Sequence, residues 1–323
     1  MAGMFCLNSN YSTNRLLSTA RPVIINNLDD TFETLLFLPE GEGRIAEGGL
    51  RARNYFKSSY ADKPLITVIT VVFNGAEHLE ETILSVVNQT YDNIEYIIID
   101  GGSSDGTLDI IRRHDEQIDY WVSEKDHGLY DAMNKGIRCS FGDAIGIINS
   151  DDWYELNAVA QVVSSLNDSC NCVVHANMNV YQGGDIHYKA DFINGRAKMR
   201  KGMIINHPSA FVGKSLYKEY GCFDTKYKIA ADWDLMLRFW EARVQFMHSP
   251  DTIANFRLGG VSYNINLETI SEKHEIRRKN KAYNVLDFYY LIDMVRLLVF
   301  GKYVSKISIA RRRFNSMFGS VRL

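Results

Sequence analysis

Acidic and amide side chains follow two apolar runs of the sequence, at the point where each run ends. Asp100 comes directly after 96–99, and Asn-Ser-Asp-Asp at 149–152 follows the apolar run 145–148. Two adjacent carboxylates repel each other unless a cation lies between them and a phosphate, and hard oxygen ligands suit Mn²⁺ or Mg²⁺. Asp151 and Asp152 are therefore candidate metal ligands. The alternative is that Asp152 only caps the next helix.

A second polar cluster lies in the segment 126–136. Tyr130 and Met133 recur at helical spacing and are expected to face inward, whereas three polar residues of the same stretch are expected to lie together. These are Asp131, Asn134 and Lys135. Such a face can hold a nucleotide; the alternative is an ordinary solvated helix end.

The elements that must position these residues begin with a βαβ unit. The run 65–73 is a continuous series of apolar and β-branched residues, as in strands buried on both faces of a parallel sheet, and 94–100 is its companion strand. Between them Leu79, Ile83 and Val86 recur at helical spacing, and Asn74 is a plausible N-cap for that helix.

The alternation of helix and strand continues along the chain. We predict a helix starting near Ser104 or Thr107, a strand at 120–122, a helix at 130–137 and a strand at 144–148. A helix from Asn157, a hairpin of 173–181 and 186–192, and a helix at 232–243 follow. Such a pattern predicts an open α/β sheet with ligands at the carboxyl ends of its strands.

Length and composition fit a soluble globular protein. The chain has 323 residues, of which 46% are hydrophobic and 23% charged. Its five cysteines form an odd set with no CxxC pair, which argues against both a disulfide framework and a structural zinc. We find no signal peptide and no stretch of about 18 uncharged apolar residues, so we expect a cytoplasmic protein.

Charge is distributed unevenly between the body and the C-terminal end. Residues 273–323 carry 12 lysines and arginines against three acidic residues, a net charge of +9, although the whole chain has −3. We therefore read residues 266–323 as a basic tail of one or two amphipathic helices that contacts anionic lipid on the inner face of the plasma membrane. The alternative is a helical pair packed on the body. Nucleic acid is not expected as a partner, because the acidic body would repel phosphate.

Six short segments, taken together, resemble the family 2 glycosyltransferases, which have the GT-A fold. They occur in the order of that family and span most of the region 64–262, at positions 69–75, 99–107, 128–136, 149–152, 231–234 and 257–262. The resemblance implies a Rossmann-like open mixed sheet flanked by helices. It also implies inverting, metal-dependent transfer of a sugar from a nucleotide-sugar, with uracil as the expected base, in polysaccharide or O-antigen biosynthesis. The implied acceptor is a saccharide or a polyprenyl-linked molecule.

The resemblance also implies roles for single residues. Asp100 stands where the family contacts the nucleotide base, with Gly101 in place of a frequent second Asp. Asp151 matches the last acid of the Asp-x-Asp metal motif, with Asn149 in place of its first Asp. Asp232 corresponds to the catalytic base.

Several further residues keep more than one interpretation. Asp234 is a second candidate for the base. His207 lies in a segment resembling the acceptor-side loop, and Trp153 and Trp233 are either sugar platforms or core residues.

The domain organisation that we expect has three parts: an N-terminal extension at 1–62 packed on the core, a catalytic domain at 63–265 and the tail at 266–323. Two other functions remain. A non-catalytic nucleotide-sugar-binding protein would lack the base or the metal ligand. A dinucleotide-dependent oxidoreductase would need a Gly-x-Gly-x-x-Gly turn after the first strand, but residues 73–78 contain one glycine.

Overall fold

A computed structural model describes residues 4–41, 43–166, 170–190, 199–259, 267–280 and 288–300. Its strands are β1 Ala46–Gly48, β2 Ile66–Val72, β3 Ile94–Asp100, β4 Tyr120–Ser123, β5 Ala144–Asn149, β6 Trp153–Tyr154, β7 Cys172–Gln182, β8 Asp185–Ala190, β9 Ala210–Gly213 and β10 Gln245–Arg257. Its α-helices are α1 Leu79–Val87, α2 Thr107–Arg113, α3 Leu129–Cys139, α4 Ala158–Ser165, α5 Lys214–Tyr220, α6 Ala231–Glu241, α7 Leu267–Lys279 and α8 Phe288–Phe300.

The strands form one mixed sheet in the order β1-β4-β3-β2-β5-β9-β7-β10-β6, with β8 paired to β7. The four strands β4, β3, β2 and β5 are parallel, and β9 runs antiparallel to both of its neighbours. Because β3 and β5 lie on opposite sides of β2, the strand order reverses at β2. In open α/β sheets a ligand crevice forms outside the carboxyl ends of the strands at such a point.

Two apolar layers bury both faces of the sheet. Val71 of β2 packs on one face with α3 and α6, whereas Val68 of the same strand packs on the other face with α1, α2 and α4. Successive side chains of a strand point to opposite faces, so a strand buried on both faces is mainly apolar. The predicted open mixed sheet flanked by helices is therefore confirmed.

The start of α1 differs from the prediction. The helix begins at Leu79 rather than after Asn74. Asn74 has a positive φ of 52°, and its side chain accepts a hydrogen bond from the backbone N–H of Ser104 at 2.9 Å. Asn74 also donates its backbone N–H to the Ser103 hydroxyl. Asn74 therefore orders the loop after β3 instead of capping α1.

Residues 4–62, which we call the N-terminal segment, are joined to the sheet by buried polar groups. The Ser12 hydroxyl donates to the carbonyl oxygens at the end of α1. The Arg51 guanidinium forms an ion pair with Glu95 of β3 at 2.7 Å, and their side chains are only 3% and 4% exposed. The Lys57 ammonium links the segment internally by donating to the carbonyl of Arg15 at 2.7 Å. The domain boundaries at residues 62 and 265 remain predictions.

The described part of the C-terminal region is helical. Helix α7 contacts α8, for example through His274 and Tyr290, whose rings lie 4.4 Å apart. Within the described ranges, no helix has the length and apolar character needed to cross a membrane. Residues 191–192 of the predicted hairpin, 260–262 of the last matching segment, and 281–287 and 301–323 of the tail lie outside the described residues.

Candidate active site

Asp100 ends β3 with a fully buried carboxylate. One oxygen accepts a hydrogen bond from the Ser123 hydroxyl at 2.5 Å, and the carboxylate also accepts the backbone N–H and the hydroxyl of Ser103. Carboxylate oxygens that accept several donors hold a loop firmly. Asp100 therefore fixes the loop that follows β3, at the edge of the sheet where a nucleotide is expected.

Gly101, the next residue, faces Asp126 of the loop before α3. A β-carbon added at Gly101 would overlap the Asp126 carboxylate, so this position admits no side chain while Asp126 keeps its place. Burial raises the pKa of Asp126, and Asp131 and Asp100 act in the same direction. The acid that the resemblance leads one to expect at position 101 is thus replaced by an acid that reaches the same space from position 126.

The three polar residues of α3 do not share one environment. Asp131 accepts the backbone N–H of His127 at 3.0 Å, and its carboxylate lies 3.7 Å from the Lys135 ammonium, which pairs with Glu124 at 2.8 Å. The Asn134 amide instead donates to and accepts from the backbone of Phe223, at 2.9 and 3.0 Å. Asp131 and Lys135 therefore lie together as predicted, whereas Asn134 ties α3 to the segment before α6.

The acids that follow β5 lie in a poorly solvated environment. Asp152 is fully buried, and one of its oxygens accepts the backbone N–H of Arg257 at 2.9 Å. Its other oxygen, like the side-chain oxygen of Asn149, is buried and finds no hydrogen-bond donor among the described residues. Burial raises the pKa of Asp151, and burial together with the charge of Asp151 raises the pKa of Asp152 well above its usual range. Both ionised carboxylates would gain from a nearby cation.

A divalent metal ion fits this edge of the sheet if protein oxygens and substrate phosphates coordinate it together. No group of three or more His, Cys, Asp or Glu side chains that could hold a metal occurs within the described ranges. Mg²⁺ in phosphate-binding sites, however, is commonly held by one or two carboxylates together with substrate phosphates. Asp151, which is partly exposed, and the orphaned oxygens of Asn149 and Asp152 supply donors of that kind.

Arg257 links this acidic turn to the far strand of the sheet. Its guanidinium donates to the carbonyl of Asp151 at 3.1 Å, pairs with Glu81 of α1 at 2.7 Å and covers the Trp153 ring at 4.9 Å. Trp153 also lies 4.7 Å from the Tyr181 ring, so it contacts both Arg257 and Tyr181 while remaining partly exposed. The motif spacing alone gave Arg257 no role; its backbone and side-chain contacts show that it holds the acidic turn in place.

Asp232 occupies the first turn of α6 and is partly exposed. One carboxylate oxygen accepts the backbone N–H of Trp233 at 2.7 Å and lies 3.5 Å from the Tyr130 hydroxyl, which donates to the carbonyl of Ile229 at 2.8 Å. Tyr130 belongs to the first turn of α3, directly after the loop that follows β4. Contact between the first turns of α3 and α6 therefore brings Asp232 to the carboxyl edge of the parallel strands.

His207 lies next to this carboxylate. Burial lowers the pKa of His207, and the charge of Asp232 opposes that effect. Its ring contacts Phe223 edge-on at 5.9 Å, and Phe223 stacks on Tyr130 at 5.3 Å. His207, Phe223 and Tyr130 thus form one wall around Asp232, on the side where the resemblance leads one to expect the acceptor.

Two of the open interpretations are settled by burial. Trp233 is 1% exposed and donates its indole N–H to the carbonyl of Met199 at 2.7 Å, so it is a core residue and cannot be a sugar platform. The Asp234 carboxylate is fully buried and pairs with Arg238 and Lys279, each at 3.0 Å. With both oxygens in ion pairs, Asp234 is a structural acid and not a second candidate for the base.

One residue near the site has no counterpart in the sequence analysis. Glu272 of α7 accepts hydrogen bonds from the backbone N–H groups of Lys228, Ile229 and Ala230, at 2.7, 3.1 and 3.0 Å. These three residues lead directly into α6. No motif or spacing points to Glu272, because its partners are backbone groups in a segment of different sequence.

Comparison with known proteins agrees with this geometry. The family model for glycosyl transferase family 2 matches residues 67–221. An uncharacterized glycosyltransferase of Mycobacterium tuberculosis is 34% identical over 179 residues, which cover 54% of this chain and 68% of the relative. A PGL/p-HBAD biosynthesis glycosyltransferase of Mycobacterium bovis is 26% identical over 227 residues, 67% of this chain and 84% of that protein.

Solved structures share the fold at low sequence identity. S. aureus TarS 1–349 in complex with UDP-GlcNAc superposes with a TM-score of 0.57 and 15% identity, over 80% of this chain and 76% of that chain. The mannosyltransferase PcManGT from Pyrobaculum calidifontis, in complex with GDP-Man and Mn²⁺, gives 0.55 and 19%, over 82% and 79%. The chain spans 44% of the longer TarS chain. The fold is thus the expected GT-A fold, and the chain belongs to glycosyl transferase family 2.

Proposed function

We propose that the protein is an inverting, metal-dependent glycosyltransferase. It moves a hexosyl or N-acetylhexosaminyl group from a nucleotide-sugar, with a UDP-sugar as the first choice, to a saccharide or polyprenyl-linked acceptor in surface polysaccharide biosynthesis. The observation that carries the proposal is the environment of Asp232. This partly exposed carboxylate lies at the first turn of α6, beside Tyr130 and His207, at the edge of the sheet where Asp100 ends β3 and Asp151 follows β5.

The chemistry asked of Asp232 is general-base catalysis. The carboxylate accepts the proton of the acceptor hydroxyl while that oxygen forms a bond to the anomeric carbon of the donor sugar. The bond between the anomeric carbon and the phosphate oxygen breaks in the same displacement, and the nucleoside diphosphate leaves. One displacement inverts the anomeric centre. Because Asp234 is locked in ion pairs, the base role falls to Asp232 alone among the two acids of this turn.

Asp151 is the residue that would hold Mn²⁺ or Mg²⁺, with Asp152 in support. A bound divalent ion supplies charge stabilisation for the departing diphosphate. Lys135 adds positive charge beside α3, where its ammonium pairs with Glu124 and lies near Asp131. Asp100 holds the loop that would lie against the base of the nucleotide.

The names of similar proteins support the donor and the metal by analogy. TarS was crystallised with UDP-GlcNAc, and PcManGT with GDP-Man and Mn²⁺. These two donors differ in both base and sugar. The position of Gly101, where the family frequently has a second acid next to the base, is a reason to test guanine as well as uracil donors.

The test is release of nucleoside diphosphate from a panel of UDP- and GDP-sugars with Mn²⁺, Mg²⁺ or EDTA. We expect one donor to support transfer or hydrolysis that EDTA and Asp151→Ala abolish. Asp232→Asn should lower acceptor-dependent transfer by about 10²- to 10⁴-fold, because it removes the base. Asp109→Asn, a change of an exposed acid on α2, serves as the control and should leave transfer unchanged.

Binding separates the proposal from its alternative. A missing acceptor explains absent turnover but does not explain absent binding. If none of the nucleotide-sugars binds with any metal, the enzyme assignment is wrong. If a donor binds but no acceptor supports transfer by the wild type, the non-catalytic nucleotide-sugar-binding function takes its place. If the wild type transfers sugar and neither Asp151→Ala nor Asp232→Asn lowers transfer, the roles of these two residues are wrong.

The basic tail provides the proposed membrane contact. Residues 273–323 have a net charge of +9 on a body of the opposite sign. Anionic lipid headgroups attract such a segment, and a lipid-linked acceptor would be presented at the same surface.

A further inference from the structure

Helix α6 starts without a capping side chain. Its N-cap residue is Ala230, whose side chain has no oxygen to accept the free N–H groups of the first turn. Asp232 satisfies one of them, the N–H of Trp233, with its own carboxylate. The segment 228–230 that precedes the helix would therefore be free to move unless another element held it.

Glu272 of α7 supplies that restraint. Its carboxylate accepts three consecutive backbone N–H groups, those of Lys228, Ile229 and Ala230, and is 8% exposed. Hydrogen bonds to an ionised carboxylate are shorter and stronger than those between neutral groups. Three of them on successive residues fix both the position and the orientation of the peptide units that lead into Asp232.

The same turn is held from the opposite side by α3. The Tyr130 hydroxyl donates to the carbonyl of Ile229, so the N–H of this residue is bound by α7 and its carbonyl by α3. Tyr130 in turn stacks on Phe223. The turn is thus clamped between two helices, one on each side.

We propose that Glu272 is a positioning residue for the carboxylate of Asp232, and that α7 belongs to the catalytic unit although it follows the matched catalytic core. The proposal rests on the proposed function, in which Asp232 is the base. A base displaced by about 1 Å can lose on the order of 10²-fold in rate. Loss of the Glu272 carboxylate therefore acts on the chemical step without touching substrate.

A matched pair of variants on one helix separates this role from general stability. Glu272→Gln keeps the size of the side chain but replaces one acceptor oxygen by an NH₂ group that faces N–H donors. Glu268→Gln, one turn earlier, removes a 48% exposed carboxylate that contacts Lys228 only through its side-chain ammonium, at 2.7 Å. Glu272→Asp keeps the carboxylate on a shorter arm and should fall between the wild type and Glu272→Gln.

The first readout is amide hydrogen exchange of the peptide covering 227–234 in the full-length protein. We expect exchange at least tenfold faster in Glu272→Gln and unchanged in Glu268→Gln. Equal protection in the wild type and Glu272→Gln overturns the proposal, whatever the activity. If Glu272→Gln does not fold, the same comparison with Glu272→Asp decides.

The second readout is transfer, measured as kcat and KM with Asp232→Asn as background. We expect Glu272→Gln to lower kcat about 10- to 100-fold with little change in the donor KM, and to add less than about twofold to the loss caused by Asp232→Asn. Full additivity would show that Glu272 does not act through Asp232. If the wild type itself transfers no sugar, the proposed function fails, whereas hydrogen exchange still decides whether Glu272 holds the turn.

Discussion

The two segments that flank the matched core, the N-terminal segment and α7, are attached to it in different ways. The N-terminal segment inserts Arg51 and Lys57 into the body, where both side chains are buried. Helix α7 contacts the body through the buried side chains of Ile270, Ile276, Glu272 and Arg277 and through the Lys279–Asp234 ion pair. Its pairs Lys226–Glu275 and Lys228–Glu268 are partly exposed.

The two kinds of contact should affect different properties, namely the free energy of unfolding of the whole fold and the order of a single turn. A buried charge that loses its partner destabilises the whole fold, because it remains in a medium that solvates it poorly. A carboxylate on backbone N–H groups holds a single turn, and exposed pairs contribute little. We therefore expect loss of Arg51 to act on the free energy of unfolding, and loss of the Glu272 carboxylate to act near Asp232.

The largest effect should come from Arg51→Ala. This variant leaves Glu95 buried beneath β2 and removes donors to the carbonyl oxygens of Leu36 and Cys139. We expect a loss of about 3–5 kcal/mol in the free energy of unfolding, measured by denaturant titration. Arg53→Ala, which removes a 45% exposed guanidinium two residues away, should cost less than about 1 kcal/mol. Equal losses in the two variants would contradict the assignment of Arg51 as a buried anchor.

A smaller effect is expected at the far C-terminal end. Changing Arg311, Arg312 and Arg313 together to Ser should weaken binding to anionic vesicles by about 3 kcal/mol, on the order of 100-fold, since each basic residue near the surface contributes about 1 kcal/mol. Vesicle co-sedimentation measures it. The control removes three arginines from the body, Arg112, Arg113 and Arg200, and should bind like the wild type. Unchanged binding of the tail variant would exclude these arginines as the membrane contact.

The pH dependence of stability should reveal Lys57. Burial lowers the pKa of Lys57 from 10.5 to about 8, and the carboxylates of Asp119, Glu95 and Asp92 oppose this effect. Between these two values the unfolded chain binds more protons than the folded one, so this group makes the free energy of unfolding rise with pH. Relative to Lys57→Met, the wild type should gain on the order of 2 kcal/mol across that range.

Chemical denaturation at a series of pH values tests this expectation. Lys57→Arg keeps a charge that does not titrate in the range, and it should lack the rise as Lys57→Met does. A constant difference between the wild type and both variants from pH 8 upward would mean that Lys57 is not buried as a titrating amine.

The smallest effect concerns the exposed ion pairs of α7. Lys226→Ala and Lys228→Ala remove the partners of Glu275 and Glu268 but leave the backbone contacts of Glu272 in place. We expect each to change the free energy of unfolding by less than about 1 kcal/mol and to leave transfer unchanged. A loss of transfer as large as that of Glu272→Gln would show that the rim of α7, and not its buried carboxylate, orders the turn.

The sequence predicted those elements whose residue types are compatible with only one kind of structure. Strands β2, β3 and β5 were predicted from runs rich in apolar and β-branched residues, because strands covered on both faces favour such residues. The start of α1 was not predicted correctly. The Asn74 side chain could either cap α1 or bind Ser104, and only the fold of the loop determines which of the two occurs. The role of Trp233 was equally ambiguous, because its residue type alone does not show whether the ring faces the core or a sugar.

Glu272 could not have been found from local pattern at all. Its acceptor oxygens bind backbone groups, which every non-proline residue carries, and Ala230 is 42 residues away in the chain. Side-chain motifs predict sites in which both partners have a distinctive chemistry. When a side chain binds a distant backbone group, only the side-chain partner can be seen in the sequence.

The close approach of Gly101 and Asp126 has a consequence for the history of the family. Either position can bring an acid to the same space, but the structure has room for one side chain there. Acids at both positions would place two like charges close together unless the Asp126 side chain moved away. We expect relatives that carry an acid at position 101 to have a smaller residue at position 126. With such a pair of residues, relatives could carry the negative charge on either of the two loops while its place in the pocket stays the same.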